Sequence, residues 1–272
     1  MRIFQKITLP FKILTANRDL FFQLLQREVQ VKYKGSYLGI IWNILTPLFM
    51  LLVYTFVFGI VFKAKWENQA TDSFAEFSLT LFAGILMYNF FSEAVNRSTT
   101  LIISNANYVK KVIFPIELLS MAHIGSLFVQ MLFNLLIVFT GKIIFLNVLD
   151  WHFILFIFIV VPLVFVTLGI SWFCSAVSVF IKDTQQTVSI VVLILGYLTP
   201  VFYPINLVPE KYRWILYMNP LTYIVNAGRD LLMYGKTPQM LSYLFMLVLS
   251  YCIMMLGFIF FRKVKTNFAD VL

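Results

Sequence analysis

The chain has 272 residues, 61% of them hydrophobic and 12% charged, with a formal net charge of +9. No soluble domain needs that much apolar surface, so the bilayer is the solvent for most of the chain. Basic segments beside a membrane explain the charge more simply than nucleic acid does, and no nucleic-acid partner is expected.

Residues 1–37 are basic and mixed, and nothing in them reads as a cleavable signal peptide. From Asp19 to Tyr33, Gln23, Gln26, Arg27 and Gln30 recur at helical spacing, with Lys34 continuing the row. Leu20, Phe21, Phe22, Leu24, Leu25 and Val29 fill the other surface, which predicts an amphipathic interface helix with Asn17 at its N-cap. Arg27, Lys32 and Lys34 form a basic cluster that either receives an anionic lipid headgroup or anchors topology.

Residues 38–62 carry no charge and can span the membrane, with a kink at Pro47. The second span, 77–103, has Asn89, Glu93, Asn96, Arg97 and Thr100 on one face, with Glu93 and Arg97 spaced to pair. That face is either a polar lining or a helix end protruding into the cytoplasm. The segment 104–117 is a polar island carrying Lys110 and Lys111. About two helical turns ending near Phe114 are expected, because Pro115 disfavours helix at the preceding residue.

The third span, 118–146, places His123, Gln130 and Asn134 on one face. The fourth, 153–180, has a small-residue row of Ser171, Ser175 and Ser178 suited to close packing. The fifth, 187–203, is short. Residues 205–238 are apolar but broken by Pro209, Pro220 and Pro238. Each piece is too short to cross the hydrocarbon, so half-helices near 209–218 and 220–234 are expected to dip into the membrane as a re-entrant gate. A sixth span, 241–261, precedes a basic tail, 262–272. The fold class is therefore an all-α polytopic membrane protein with six spans. Lys and Arg are concentrated in the segments that face the cytoplasm if both termini lie inside.

Catalytic signatures are weak. Gly235-Lys236-Thr237 looks like the end of a phosphate-binding loop, but Asp230 stands where that loop needs glycine. Cys174 and Cys252 lie inside apolar runs, so no disulfide framework is expected, and His123 and His152 are far apart in sequence.

Three blocks carry a resemblance: Arg27-Glu28 with Lys32-Tyr33-Lys34-Gly35-Ser36-Tyr37-Leu38-Gly39, Trp42 and Pro47-Leu48; the loop NANYVKKVIFPIELL; and TPVFYPINLVP followed by MNPLTYIVNAGRD. In this order they resemble the permease subunit of bacterial ABC-2 exporters of lipid-linked polysaccharide such as O-antigen, capsule or teichoic acid. The similarity covers nearly the whole chain. It implies a non-catalytic homodimer in the inner membrane, paired with two ATP-binding cassette subunits. It implies no cofactor on this chain, ATP and magnesium being handled by those partners. Asn107, Tyr108, Val109, Lys110, Lys111, Phe114, Pro115 and Glu117 would form the coupling segment, and the interface helix would also touch the ATPase. The path would run along the dimer interface, between first and fifth spans. Sugar rings stack on aromatic planes, so Trp42, Phe49, Phe56, Tyr88, Phe91, Tyr197, Phe202 and Tyr203 are its candidate lining, each with packing against lipid as the competing role. Exporters of a smaller lipid or drug, and a membrane polysaccharide-assembly enzyme, are the rival readings.

Overall fold

The computed structural model describes residues 8–34, 37–61, 66, 74–110, 114–148 and 150–272, and these residues form helices without strands. Two N-terminal helices, α1 (Leu9–Ala16) and α2 (Arg18–Tyr33), precede the membrane helices. These begin with α3 (Trp42–Tyr54), continued by π-helical Thr55–Val61, and α4 (Phe74–Leu101). A short α5 (Ala106–Val109) then leads to α6 (Glu117–Gly141), which continues as a π-helix over Lys142–Leu146. Next come α7 (Phe156–Phe180), α8 (Thr184–Leu198), α9 (Glu210–Tyr217), α10 (Pro220–Tyr234), α11 (Met240–Val264) and α12 (Phe268–Val271).

Five of these segments are long and apolar enough to cross a bilayer, and α8 is a shorter apolar helix. The spans begin and end near the expected positions, although α4 starts at Phe74 and α11 runs on to Val264. The basic tail is not loose. Its Phe268 is fully buried against Phe180 and Phe261.

α4 is the central post. About 83% of its most apolar window is buried, against 6% for the span containing α3. A helix apolar all round belongs in the interior of a bundle, and α4 packs on α6, α7, α8 and α10. α7 and α11 cross at Gly169 and Gly257, where backbone meets backbone and a Cβ on either would collide with the other helix. This is the close approach that small residues permit in membranes. The predicted row Ser171, Ser175 and Ser178 is buried, and two of its hydroxyls bond back to their own helix: Ser175 to Trp172 O and Ser178 to Ser175 O.

The proline-broken region folds as a helical hairpin, α9 and α10, close to the expected half-helices. Asn219 caps α10 by accepting the Leu221 amide at 3.0 Å and donates to Thr199 Oγ1 at 2.8 Å. Gly235, at φ +63°, ends the helix in the left-handed conformation that favours glycine. The Gly235-Lys236-Thr237 stretch is thus a helix exit, with the Lys236 amide bonded to Asp230 O. A phosphate cradle needs a helix N-terminus instead.

Arg229 of α10 lies inside the bundle. It is 3% exposed. Its Nη2 donates to Pro200 O (2.8 Å) and Val201 O (3.1 Å), its Nε to Thr80 O (3.2 Å) and its Nη1 to Asn226 Oδ1 (3.3 Å). The guanidinium also lies 4.0 Å from the centre of the Trp66 ring. The cause is the break after α8, whose carbonyls have no following turn to accept from. Arg229→Gln is expected to destabilise the protein by about 3 kcal/mol, since hydrogen bonds to a buried charge are lost together. A thermal shift in detergent, with proteolysis at residues 199–209 as a second readout, checks this. An unchanged melting temperature would show that the hairpin is held by apolar packing alone.

Candidate functional site

A cavity of about 330 Å³ lies among α3, α4 and α8, bounded by Tyr54, Tyr88, Asn89, Ser92, Asn96, Ser189, Tyr197 and Phe202 with aliphatic neighbours. Each wall has a local cause. α4 presents Asn89 and Asn96 along the polar face read in its sequence, so at this depth the face is a lining. α8 approaches closely because Gly196 lets the Tyr88 ring lie against its backbone, and the Tyr88 hydroxyl donates to Val192 O. Beyond α8 the chain turns at Thr199–Val201, and Phe202 stacks on Phe58 (5.4 Å, 15°) and sits 5.5 Å from Tyr54.

Of the aromatic residues expected to line a path, Tyr88, Tyr197 and Phe202 meet here. Tyr203 stands beside them, its hydroxyl donating to Tyr197 O at 2.6 Å. Trp42, Phe49 and Phe56 instead lie on the open surface of the α3 span. Phe91 is a correction: it is buried and borders a separate apolar pocket with Val166, Ile170 and Leu195. It lies about 60° round the helix from Tyr88, close enough that the ring centres are 6.4 Å apart, yet on the side that α7 covers. Tyr54 was missed by sequence reading, having no feature to separate it from the other rings of its span.

Below the cavity the polar face of α4 meets α2. Lys32 Nζ bonds Glu93 Oε1 at 2.7 Å and Gln130 Oε1 at 2.5 Å. This corrects the expected Glu93–Arg97 pair; Arg97 instead donates to Thr100 Oγ1 at 3.2 Å. Lys34 is exposed. α2 lies along α6, with Phe21 and Leu25 packed over Gly125. Gln23, Gln26 and Gln30 point outward. Asn17 occupies the cap position, but its side chain donates back to Ile13 O, closing α1 instead of opening α2.

Arg27 does not lie free for a headgroup. Its guanidinium donates to Tyr108 Oη (2.9 Å), Asn105 Oδ1 (2.8 Å) and Glu28 Oε1 (3.1 Å). His123, 3.7 Å from Glu28, and Arg27 together hold the Glu28 carboxyl below its usual range. Burial opposes that shift. The expected coupling segment is therefore braced from inside the chain. Its helix is shorter than expected, ending at Val109, and Lys111 lies outside the described residues. Tyr108 is half-buried and stacks on Phe114 at 4.6 Å, and Val109 is buried. Asn107 and Lys110 are exposed. Glu117 is buried and takes Lys265 (2.5 Å) and Arg262 (3.7 Å) from the tail, while Trp172 Nε1 donates to its carbonyl at 3.3 Å. It is a clasp between α6 and α11, not a surface contact. Among the described residues no three His, Cys, Asp or Glu side chains gather as a metal site.

The family described as ABC-2 type transporter matches residues 19–233, from the start of α2 to the end of α10. The chain belongs to this family. The ABC-2 match thus takes in both the braced segment and the helical hairpin. An O-antigen export system permease protein RfbA from Klebsiella pneumoniae is 26% identical over 263 residues, covering 93% of this chain and 95% of the relative. RfbA of Myxococcus xanthus is 24% identical over 255 residues, with the same coverage. The polysialic acid transport protein KpsM of Escherichia coli is 24% identical over 251 residues, 88% of this chain and 91% of its own.

The brace gives a direct test. Tyr108→Phe removes one hydrogen bond from a charged donor and is expected to cost about 1.5 kcal/mol, with Arg27→Ala costing more because Asn105 and Glu28 also lose their partner. Hydrogen exchange over residues 103–110 should accelerate in both variants. Exchange as slow as in the parent would show that the segment holds its shape without α2.

Proposed function

We propose that the chain is the non-catalytic membrane subunit of an ATP-driven exporter that moves lipid-linked polysaccharide, O-antigen in particular, across the bacterial inner membrane. The observation that carries this is the cavity among α3, α4 and α8. It combines aromatic rings with amide and hydroxyl groups, a surface that suits a polyhydroxylated chain sliding past. Ring stacking is tolerant of sequence and individually weak, by analogy with base stacking on aromatic platforms. The names of the RfbA and KpsM relatives support a polysaccharide cargo.

The α3 surface beside the cavity is apolar and almost uncovered within one chain. A second copy placed there would close the path, making the working unit a homodimer. ATP and magnesium would act on two separate cassette subunits. These would dock at the end of the bundle carrying Asn107 and Lys110, with both termini on the same, cytoplasmic side. The brace then acts as a transmission: a push on α5 reaches α2 through Arg27 and the α4 end through Asn105. Lys32, between α2 and Glu93, would take an anionic headgroup by exchanging its carboxylate partner for phosphate.

Two measurements test the reading. In a strain lacking the chain but retaining the polymer-assembly machinery, Tyr54→Ala, Tyr197→Ala and Phe202→Ala should each lower surface polymer. Each ring is worth ~1 kcal/mol, or roughly fivefold at most, with larger combined effects. A triple variant at normal membrane level that exports like the parent would exclude these rings from the path. Separately, Asn107→Ala with Lys110→Ala should leave thermal stability unchanged while the cassette subunit no longer co-purifies. Retention of a full complement of that subunit would place the docking surface elsewhere.

A further inference from the structure

A larger groove, about 770 Å³, lies on the other side of the hairpin, between α10 and the first half of α11. It belongs neither to the cavity nor to the brace. Its α11 wall is apolar, with Leu241, Phe245, Met246 and Leu249. Its α10 wall carries Thr222, Asn226 and Asp230, spaced four apart, so they form one stripe rising roughly 12 Å along the helix.

Two groups in this wall are unsatisfied. Thr222 is 2% exposed and its hydroxyl has no hydrogen-bond partner; the buried hydroxyl of the adjacent Tyr223 has none either. Buried hydroxyls without partners are uncommon in folded proteins, and a helical threonine ordinarily bonds back to its own helix. Here both residues line the groove, with their hydroxyl oxygens covered beneath its wall, as those of Thr55, Ser120 and Ser171 are covered elsewhere. Asp230 stands at the end near Pro238 and Gln239, with Arg229 and Lys236 attracting its carboxylate from outside the lining; among the described residues no lysine or arginine lines the groove.

We propose that this groove binds a zwitterionic aminophospholipid, phosphatidylethanolamine. The order of groups along α10 matches the order along that molecule. The Asp230 carboxylate accepts from the ammonium. The Asn226 amide, midway, donates to the phosphate. The Tyr223 and Thr222 hydroxyls, covered beneath the groove wall, turn outward to donate to the ester carbonyls. Beyond them Met218 and Leu249 continue as an apolar track for an acyl chain. An anionic lipid finds no cation in the groove, and a choline headgroup has no N–H to give Asp230. The site does not depend on what the transporter carries, and a bound lipid would wedge the hairpin against α11.

Native mass spectrometry of the purified transporter reads the lipids retained after equilibration with phosphatidylethanolamine, phosphatidylcholine or phosphatidylglycerol. The parent should keep phosphatidylethanolamine over both others. Asp230→Asn, nearly isosteric, should lower that retention about tenfold and erase the preference over phosphatidylcholine. Ser242→Phe fills the groove without deleting a contact and should expel lipid whatever its headgroup, with thermal stability kept. Equal retention of the three lipids, a preference for phosphatidylglycerol, or unchanged retention in both variants overturns the proposal. So does a disulfide between Ser242→Cys residues of two copies, made in a background lacking Cys174 and Cys252, because a second chain would then occupy the groove.

Discussion

A carbonyl inside a bilayer has no water to turn to, and a chain that breaks its helix there must supply donors from its own side chains. In this protein the break follows α8, and Arg229 supplies them. One guanidinium takes Pro200 O and Val201 O on one side and Thr80 O on the other. Gly84 leaves the space: any side chain there would strike the guanidinium. The hairpin is thereby fixed to the central helix, and so is the residue after the break, Phe202, which forms one wall of the aromatic cavity. The Thr199–Asn219 bond repeats the logic at the base of the hairpin. An irregular segment among apolar helices is tolerated because its backbone is buried in protein and paired.

The opposite end of the bundle follows another rule. There the elements are joined by charges at the edge of the apolar region: Arg27 to the short α5 segment, Lys32 to α4 and α6, and Glu117 to the tail. The more exposed of these, such as Lys32 with Glu93, contribute little stability each. Their value lies in linkage, since they tie the amphipathic helix, two spans and the C-terminal tail into one unit. The hairpin end is fixed by a buried cation, whereas this end is joined by contacts that can be exchanged.

Much of the architecture was legible in the chain. The long apolar runs marked the spans, and the close spacing of Pro209, Pro220 and Pro238 marked the hairpin by limiting helix length, whereas the isolated Pro47 and Pro162 lie inside helices. The polar stripe on α4 was legible from its spacing. The candidate site was legible only in part. Tyr88, Tyr197 and Phe202 converge, but Phe91 turns into the core and Tyr54 joins without a sequence signal. Val109 and Tyr108, read as displayed, face inward because α2 covers that side of the segment.

Helix length, apolar run and proline position are local quantities, set by residues adjacent in the chain and by the thickness of the bilayer. The sequence by itself therefore determined that the protein crosses the membrane repeatedly, and where its irregular segment lies. Which partner each polar side chain takes was decided only in three dimensions. Arg229 bonds Thr80 across 149 positions and Arg27 bonds Tyr108 across 81, separations at which spacing carries no information. A basic residue beside a membrane reads the same in sequence whether it faces water or is spent on carbonyls in the core. Only the packed bundle, where an unpaired polar group would be costly, selects between the two.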